Sequence, residues 1–368
     1  MRFLLALLLA GSTTAAAIGS SVADTAPRQT AWNARAAASY LDARMSWWLT
    51  WPNAARDHGT ACVSCHTGAP YALARPSLRR ILGEPGRPSP EAVMVEHVTT
   101  RVRLWNEIEP YYPDQTRGLP KTSESRGTEA VLNALILATR DAEAGVMSDE
   151  LRLAFGNLWA LQMRREPLAG GWAWLDFGLE PWEGPRSSYF GAALAAIAVG
   201  TAPGDYAATP EIQEQLALLR QYLAEGADSE SLFNRLMILW ASGELDGILE
   251  GSQRRTIVAG ALGAQNQDGG WSLASLAPWQ RTDGSALGDA SDGYATALAV
   301  LALRKSGDHA AAAAIETGRT WLIAHQSSET GALPARSINR NRDPATEQAK
   351  FMTDAATALA SIALADGS

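Results

Sequence analysis

Asp292-Gly293-Tyr294-Ala295-Thr296-Ala297-Leu298-Ala299-Val300-Leu301-Ala302-Leu303 reads as a helix with no wet side. After its opening acid and glycine nearly every residue is apolar or small, so a 3.6-residue period leaves no face for solvent. Such a helix must be surrounded by other elements. Residues 127–139, 188–200, 231–242 and 354–365 share the form, a small or polar start followed by an alanine- and leucine-rich run. Residues 71–82 supply a sixth, made irregular by Pro76. Between them lie 31–49, 91–108, 148–163, 210–224, 252–265 and 311–326, where apolar positions at helical spacing mix with Arg, Glu and Gln. That is the pattern of an outer helix with one solvated face. The alternation predicts an all-α (α/α)6 toroid of helical hairpins. The first outer helix precedes any inner one and the last inner helix ends the chain, so the terminal helices pair and close the ring. An open solenoid would need polar caps, and none is legible.

Connections from inner to outer helices are mostly short, and those from outer to inner are mostly long: 50–70, 109–126, 164–186, 266–291 and 327–351. All the long loops therefore share one rim. The first contains Asp57-His58-Gly59-Thr60-Ala61-Cys62-Val63-Ser64-Cys65-His66-Thr67-Gly68, with the only two cysteines of the chain. C-x-x-C followed at once by histidine is the attachment signature of one covalent haem c, over a loop taken as 51–70. Two thiols at that spacing can add to the porphyrin vinyl groups, and the adjacent imidazole of His66 supplies the proximal iron ligand. The competing readings are a thioredoxin-like redox pair, a structural disulfide and half of a zinc site. The zinc site would need further Cys or His ligands nearby, and none follows.

Residues 1–23 read as a secretory signal peptide: Arg2, an unbroken apolar run from Phe3 to Ala10, and Ser21-Val22-Ala23 before Asp24. Export to the periplasm agrees with a covalent haem. The remaining residues, 24–368, are read as one haem-bearing toroid domain. The formal net charge is −8, or −9 once Arg2 leaves with the leader. An acidic chain argues against nucleic acid as partner. The expected partners are a redox protein or a small apolar substrate, and peripheral contact with a membrane is compatible with this composition. Thirteen tryptophans against six phenylalanines is an unusual ratio. Trp172, Trp174, Trp182, Trp271 and Trp279 all fall in long loops, which predicts an aromatic lid over a haem at the mouth of the central cavity.

Gln265-Asn266-Gln267-Asp268-Gly269-Gly270-Trp271 matches the Q-x-x-x-G-x-W repeat, with weaker copies at Gln162/Gly170-Gly171-Trp172 and Gln326/Gly331. On these motifs, and on the inner-helix form T-A-L-A-x-L-A-L, the chain after residue 125 resembles the squalene–hopene cyclase and prenyltransferase superfamily. The resemblance implies that Gln, Gly and Trp tie neighbouring helices together. It also implies a cavity suited to apolar, isoprenoid-like molecules. It does not bring the cyclase acid, because D-x-D-D is replaced by Asp292-Gly293-Tyr294-Ala295, and a prenyltransferase zinc site would need cysteines already assigned to haem.

For the sixth iron position the candidates are His58, in the same loop, and Met352, at the start of the last inner helix; His97 and His325 are weaker. Arg340 and Arg342, in a three-arginine loop on the haem rim, are candidate partners for the haem propionates, with Arg101 and Arg103 behind them. Asp176 and Glu183, inside the cluster Trp172-Ala173-Trp174-Leu175-Asp176-Phe177 and Pro181-Trp182-Glu183, are candidate proton-exchanging groups. Asp292 and Asp354 are read as helix caps. The expected function is a haem-dependent oxidoreductase for an apolar substrate. An electron-transfer cytochrome or redox sensor is the alternative, and a haem-independent cyclase a third.

Overall fold

A computed structural model describes residues 31–365, so the expected signal peptide lies outside the described residues. Among the described residues the chain is helical with no strand beyond isolated bridges. The inner helices are α2 (Ala69–Leu82), α4 (Thr122–Ala144), α6 (Ser187–Thr201), α8 (Leu232–Glu244), α11 (Gly293–Ser306) and α13 (Phe351–Ala365). The outer ones are α1 (Ala34–Thr50), α3 (Ser89–Arg103), α5 (Asp149–Ala160), α7 (Gln213–Gly226), α9 (Gly251–Gly263) and α12 (Ala312–His325); α10 (Leu273–Leu276) is one turn within a long loop. Each inner helix packs on the next, and α13 packs on both α11 and α2, which closes the ring. The expected all-α toroid is the observed architecture. Burial follows the sequence pattern: in α11 the run from Gly293 to Leu303 is buried throughout, whereas in α7 only Leu216, Leu219 and Leu223 are.

The glutamine motifs are structural, and all three use one device. The side chain of Gln265 donates to the carbonyl of Gly269 (2.8 Å) and to that of Ala314 on α12 (3.0 Å). Gln162 donates likewise to Gly170 (3.0 Å) and to Gln215 on α7 (2.9 Å). Gln326 donates to Gly331 (2.9 Å) and to Asn33 (3.1 Å), and its Oε1 accepts from the Asn33 amide (2.8 Å). Each glutamine thus bolts an outer helix to the next one, and Gln326 does so across the closure of the ring. Gly170, Gly269 and Gly331 stand at φ of 93°, 90° and 75°. A Cβ there would lie 2.1 Å from the Leu218 carbonyl oxygen, 2.9 Å from that of Thr317 and 2.4 Å from Ala36, so glycine is required twice over.

The mouth on the long-loop rim is filled. Trp174, Phe190, Phe233, Tyr294 and Trp182 are buried in sequential contact, with ring centroids 5.6–6.5 Å apart. Of the five tryptophans expected in a lid, Trp174 and Trp182 stand in this plug and Trp279 meets Phe233, whereas Trp172 and Trp271 donate to the outer-helix carbonyls of Leu158 and Ala261; the aromatics fill the ring instead of roofing an open chamber. At the opposite rim a bowl of about 610 Å³ has an apolar floor of Ile197, Trp240 and Ile362 and a margin of paired charges. It lies at the far ends of the inner helices, about 20 Å from the cysteines. Among the described residues no helix is long and apolar enough to cross a membrane.

Candidate functional site

The cysteine motif is not a slack loop. Ser64–Gly68 forms a π-helical turn that runs straight into α2. Such turns insert one residue into the helical ladder and are frequent at functional sites. Ser64 adopts φ 63°, and its hydroxyl accepts from the amides of Thr67 (3.2 Å) and Gly68 (3.0 Å). Gly68 has no alternative, since a Cβ there would stand 1.9 Å from the Val63 carbonyl oxygen.

Cys62 and Cys65 are buried and unbridged. Burial pushes the Cys62 thiol up to about 11 and Cys65 well above its usual value. A thioredoxin-like pair needs a depressed thiolate pKa, so this environment disfavours that chemistry. His66 is neutral, because burial and the nearby Arg44 charge push its imidazole down to about 3. Its Nδ1 lies 2.8 Å from the Thr67 hydroxyl, which in turn donates to Asp354 Oδ2 at 2.8 Å. Since the Thr67 proton points at Asp354, Thr67 can only accept from His66, and the imidazole proton is on Nδ1. Nε2 keeps its lone pair and has no hydrogen-bond partner among the described residues. Phe351 stacks on the imidazole (3.7 Å between centroids, 18°), and Trp48 meets it edge-on at 4.9 Å. Trp48 also donates to the Cys62 carbonyl (2.6 Å).

Asp354 is not the helix cap expected of it. It lies within the first turn of α13 and accepts from Tyr40 (2.7 Å), Arg44 (2.8 Å) and Thr67. Burial raises its carboxyl, while the guanidinium and the two hydroxyls hold its charge. Asp292 does cap α11, accepting from the Tyr294 amide at 2.9 Å.

A cavity of about 120 Å³ opens beside the motif, lined by Cys65, His66, Trp182, Glu183, Arg342 and Met352 among others. Three residues distant in sequence are thus brought to His66. Burial raises the Glu183 carboxyl from its ordinary 4.5 to about 7, opposed by Arg117, Arg56 and Lys121. Among the described residues Arg342 has no acid partner, and burial together with neighbouring Arg340 pushes its guanidinium down. Met352 is buried. Asp176, by contrast, spends its carboxylate on the Gly178 amide (2.9 Å) in a turn and does not line the cavity. His58 is exposed at φ 54° and pairs with Asp57 (3.0 Å), likewise off the cavity. Arg340, a candidate propionate partner, is exposed and does not line the cavity. Arg101 is committed to a fully buried ion pair with Glu129, and His325 is stacked on Trp321.

No protein family matches the sequence, and no curated protein is similar to it. Solved structures similar in fold include a polysaccharide lyase and a glycosidase, each with a TM-score of 0.51 at 12% identity over 90% of this chain and 97% of the other. At that identity the likeness is one of fold alone. The squalene-cyclase-like label is cut back accordingly: the ring is shared with a polysaccharide lyase and a glycosidase, so it does not by itself mark a cyclase-like chain, and the repeat motifs are explained by ring construction. The expectation of a metal-binding protein is also corrected as far as side-chain cages go. Among the described residues no group of three or more His, Cys, Asp or Glu is placed to hold a metal ion. The residues able to hold a haem, which asks for two thiols and one imidazole, are Cys62, Cys65 and His66.

Proposed function

We propose that this chain is an exported haem c-bearing oxidoreductase, with Cys62 and Cys65 carrying the porphyrin through thioether bonds and His66 as proximal ligand. One observation carries the reading. His66 is neutral and oriented, with Nδ1–H held through Thr67 by Asp354 and Nε2 free, next to two unbridged thiols that are poor redox nucleophiles. This is how proteins present an imidazole to a metal: a hydrogen bond on one nitrogen fixes the tautomer and sharpens the other as a donor. The chemistry such a group supplies is one-electron exchange at iron. Around it, Arg342 offers an unpaired guanidinium for a propionate, and Glu183 titrates near neutrality, suited to passing a proton to or from a substrate at the cavity. The cavity is smaller than a porphyrin, so the reading requires the loops 177–186 and 334–350 to stand further apart around the group. The substrate meets the site at this rim, because the ring behind it is plugged by aromatics.

A second reading, electron transfer without bound substrate, is favoured by Met352, whose thioether lines the same cavity and suits a sixth ligand. Absorption spectra of the exported protein, oxidised, reduced, and reduced under carbon monoxide, test both. The oxidoreductase shows a haem band that resists extraction, disappears in Cys62→Ala/Cys65→Ala, and shifts rapidly with carbon monoxide. A carbon monoxide-indifferent spectrum assigns electron transfer. Absence of a covalent haem band sinks both.

A further inference from the structure

A groove of about 720 Å³ lies on the same rim, between the segment 281–293 and the loop 334–353. Arg281, Arg336, Arg342 and Lys350 line it against two carboxylates, Asp268 and Asp292. The carboxylates are saturated from within. Asp268 accepts from the Ser291 hydroxyl (2.7 Å), the Gly270 amide (3.0 Å) and the Trp321 indole (3.0 Å). Asp292 accepts from the amides of Tyr294 and Arg336 and from the Arg336 guanidinium. The cations are matched only in part: Arg336 pairs with Asp292. The Arg281 guanidinium donates to the carbonyls of Ser337 and Ala286 and the Ser285 hydroxyl and its charge also reaches Asp283, while Arg342 has no hydrogen-bond or ion-pair partner among the described residues. Lys350 must share Glu347 with Arg44. His325 adds a further polar edge: its Nδ1 donates to the Trp321 carbonyl (2.7 Å), which leaves Nε2 unengaged. This excess of positive charge stands on a chain whose net charge is −8.

We propose that this groove is a binding site for a small organic anion bearing carboxylate groups. Guanidinium forks recognise carboxylates in a planar, bidentate geometry, and Arg342, which has no acid partner among the described residues, is free to do so, with Arg281, Arg336 and Lys350 adding positive charge around it. The walls between the cations are Leu287, Pro334, Pro344 and Trp321, which suit a carbon skeleton better than a bare inorganic anion. The volume falls in the range of ordinary metabolite sites. The groove shares Ser337 and Arg342 with the His66 cavity, so its ligand sits beside that site, yet binding there needs no iron and the inference goes beyond the haem reading.

Calorimetric titration of the full chain with citrate, and separately with inorganic phosphate, tests it, with haem content read by absorbance on each sample. Citrate is expected to bind below about 1 mM. Arg342→Gln weakens it about tenfold, the worth of one charge-assisted contact. Lys350→Gln, which lines the groove but not the His66 cavity, weakens it as well and separates the groove from any change in haem loading. Arg164→Gln, on the outer wall and paired with Glu214, leaves it unchanged. No heat up to about 10 mM citrate overturns the proposal. So does phosphate binding as tightly as citrate, or equal weakening by Arg164→Gln, since either means attraction to charge alone.

Discussion

Thr67 decides how His66 is presented. Its hydroxyl takes the imidazole proton on one side and gives its own to Asp354 on the other. Thr67→Val keeps the shape and removes both contacts. On the proposed haem reading, an imidazole without that bond would be a weaker donor to iron, and the expected outcome is a higher reduction potential, which spectroelectrochemical titration measures. The fold weakens by about 1–3 kcal/mol because the buried Asp354 carboxylate loses a donor, and an unchanged potential would reduce Thr67 to a packing residue. Glu183 gives a pH test at the same scale. Its carboxyl is raised from 4.5 to about 7, so between those values the folded chain holds a proton that the unfolded chain has released. Its contribution to stability is therefore present below about pH 4.5 and lost as pH rises towards 7. Urea unfolding of wild type and Glu183→Gln at both ends of that window should show the wild type losing more stability on the way up. Parallel behaviour would mean the carboxyl is not displaced.

At the scale of elements, the π-helical turn Ser64–Gly68 joins the cysteine motif to α2 without slack. Its geometry depends on Gly68, where a side chain would overlap the Val63 carbonyl. Gly68→Ala should cost about 3 kcal/mol in urea unfolding and lower haem incorporation with it, because backbone on both sides must shift. Gly59→Ala, with open space around its Cβ position but φ 68°, should cost less, about 1 kcal/mol. Equal losses would remove the steric argument.

At the scale of the molecule, closure sets how the ring comes apart. An open helical array melts from its ends, whereas a ring whose last inner helix packs on its first has no end to fray. Far-ultraviolet dichroism and tryptophan fluorescence should therefore follow one coincident urea transition. Gln326 is the only one of the three glutamine bolts to span the closure, with both ends of its amide engaged. Gln326→Ala should split or broaden that transition, and Gln162→Ala should only shift its midpoint. Identical behaviour of the two would mean that closure rests on α13 alone.

The twelve long helices were legible because inner and outer positions impose different patterns on the chain: apolar all round in α11, one stripe in α7. The glutamine bolts were legible as a repeat, and the cysteine motif as chemistry at a fixed local spacing. All of these are relations among residues close in sequence. The rest of the site is made of relations that sequence does not display. Asp354 read as a cap, yet its partners Tyr40, Arg44 and Thr67 lie 287 to 314 residues away. Asp176 and Glu183 stood in one aromatic–acid cluster with equal claims, and only the fold of the loop sent Glu183 to the cavity and Asp176 into a turn. Whether the centre of the ring is open or filled was also undetermined, because it depends on how far Phe190, Phe233 and Tyr294 reach across neighbouring helices. Local pattern thus determined the helices, their order and the reactive triplet; packing at long range decided which side chains surround that triplet and where an outside molecule can reach it.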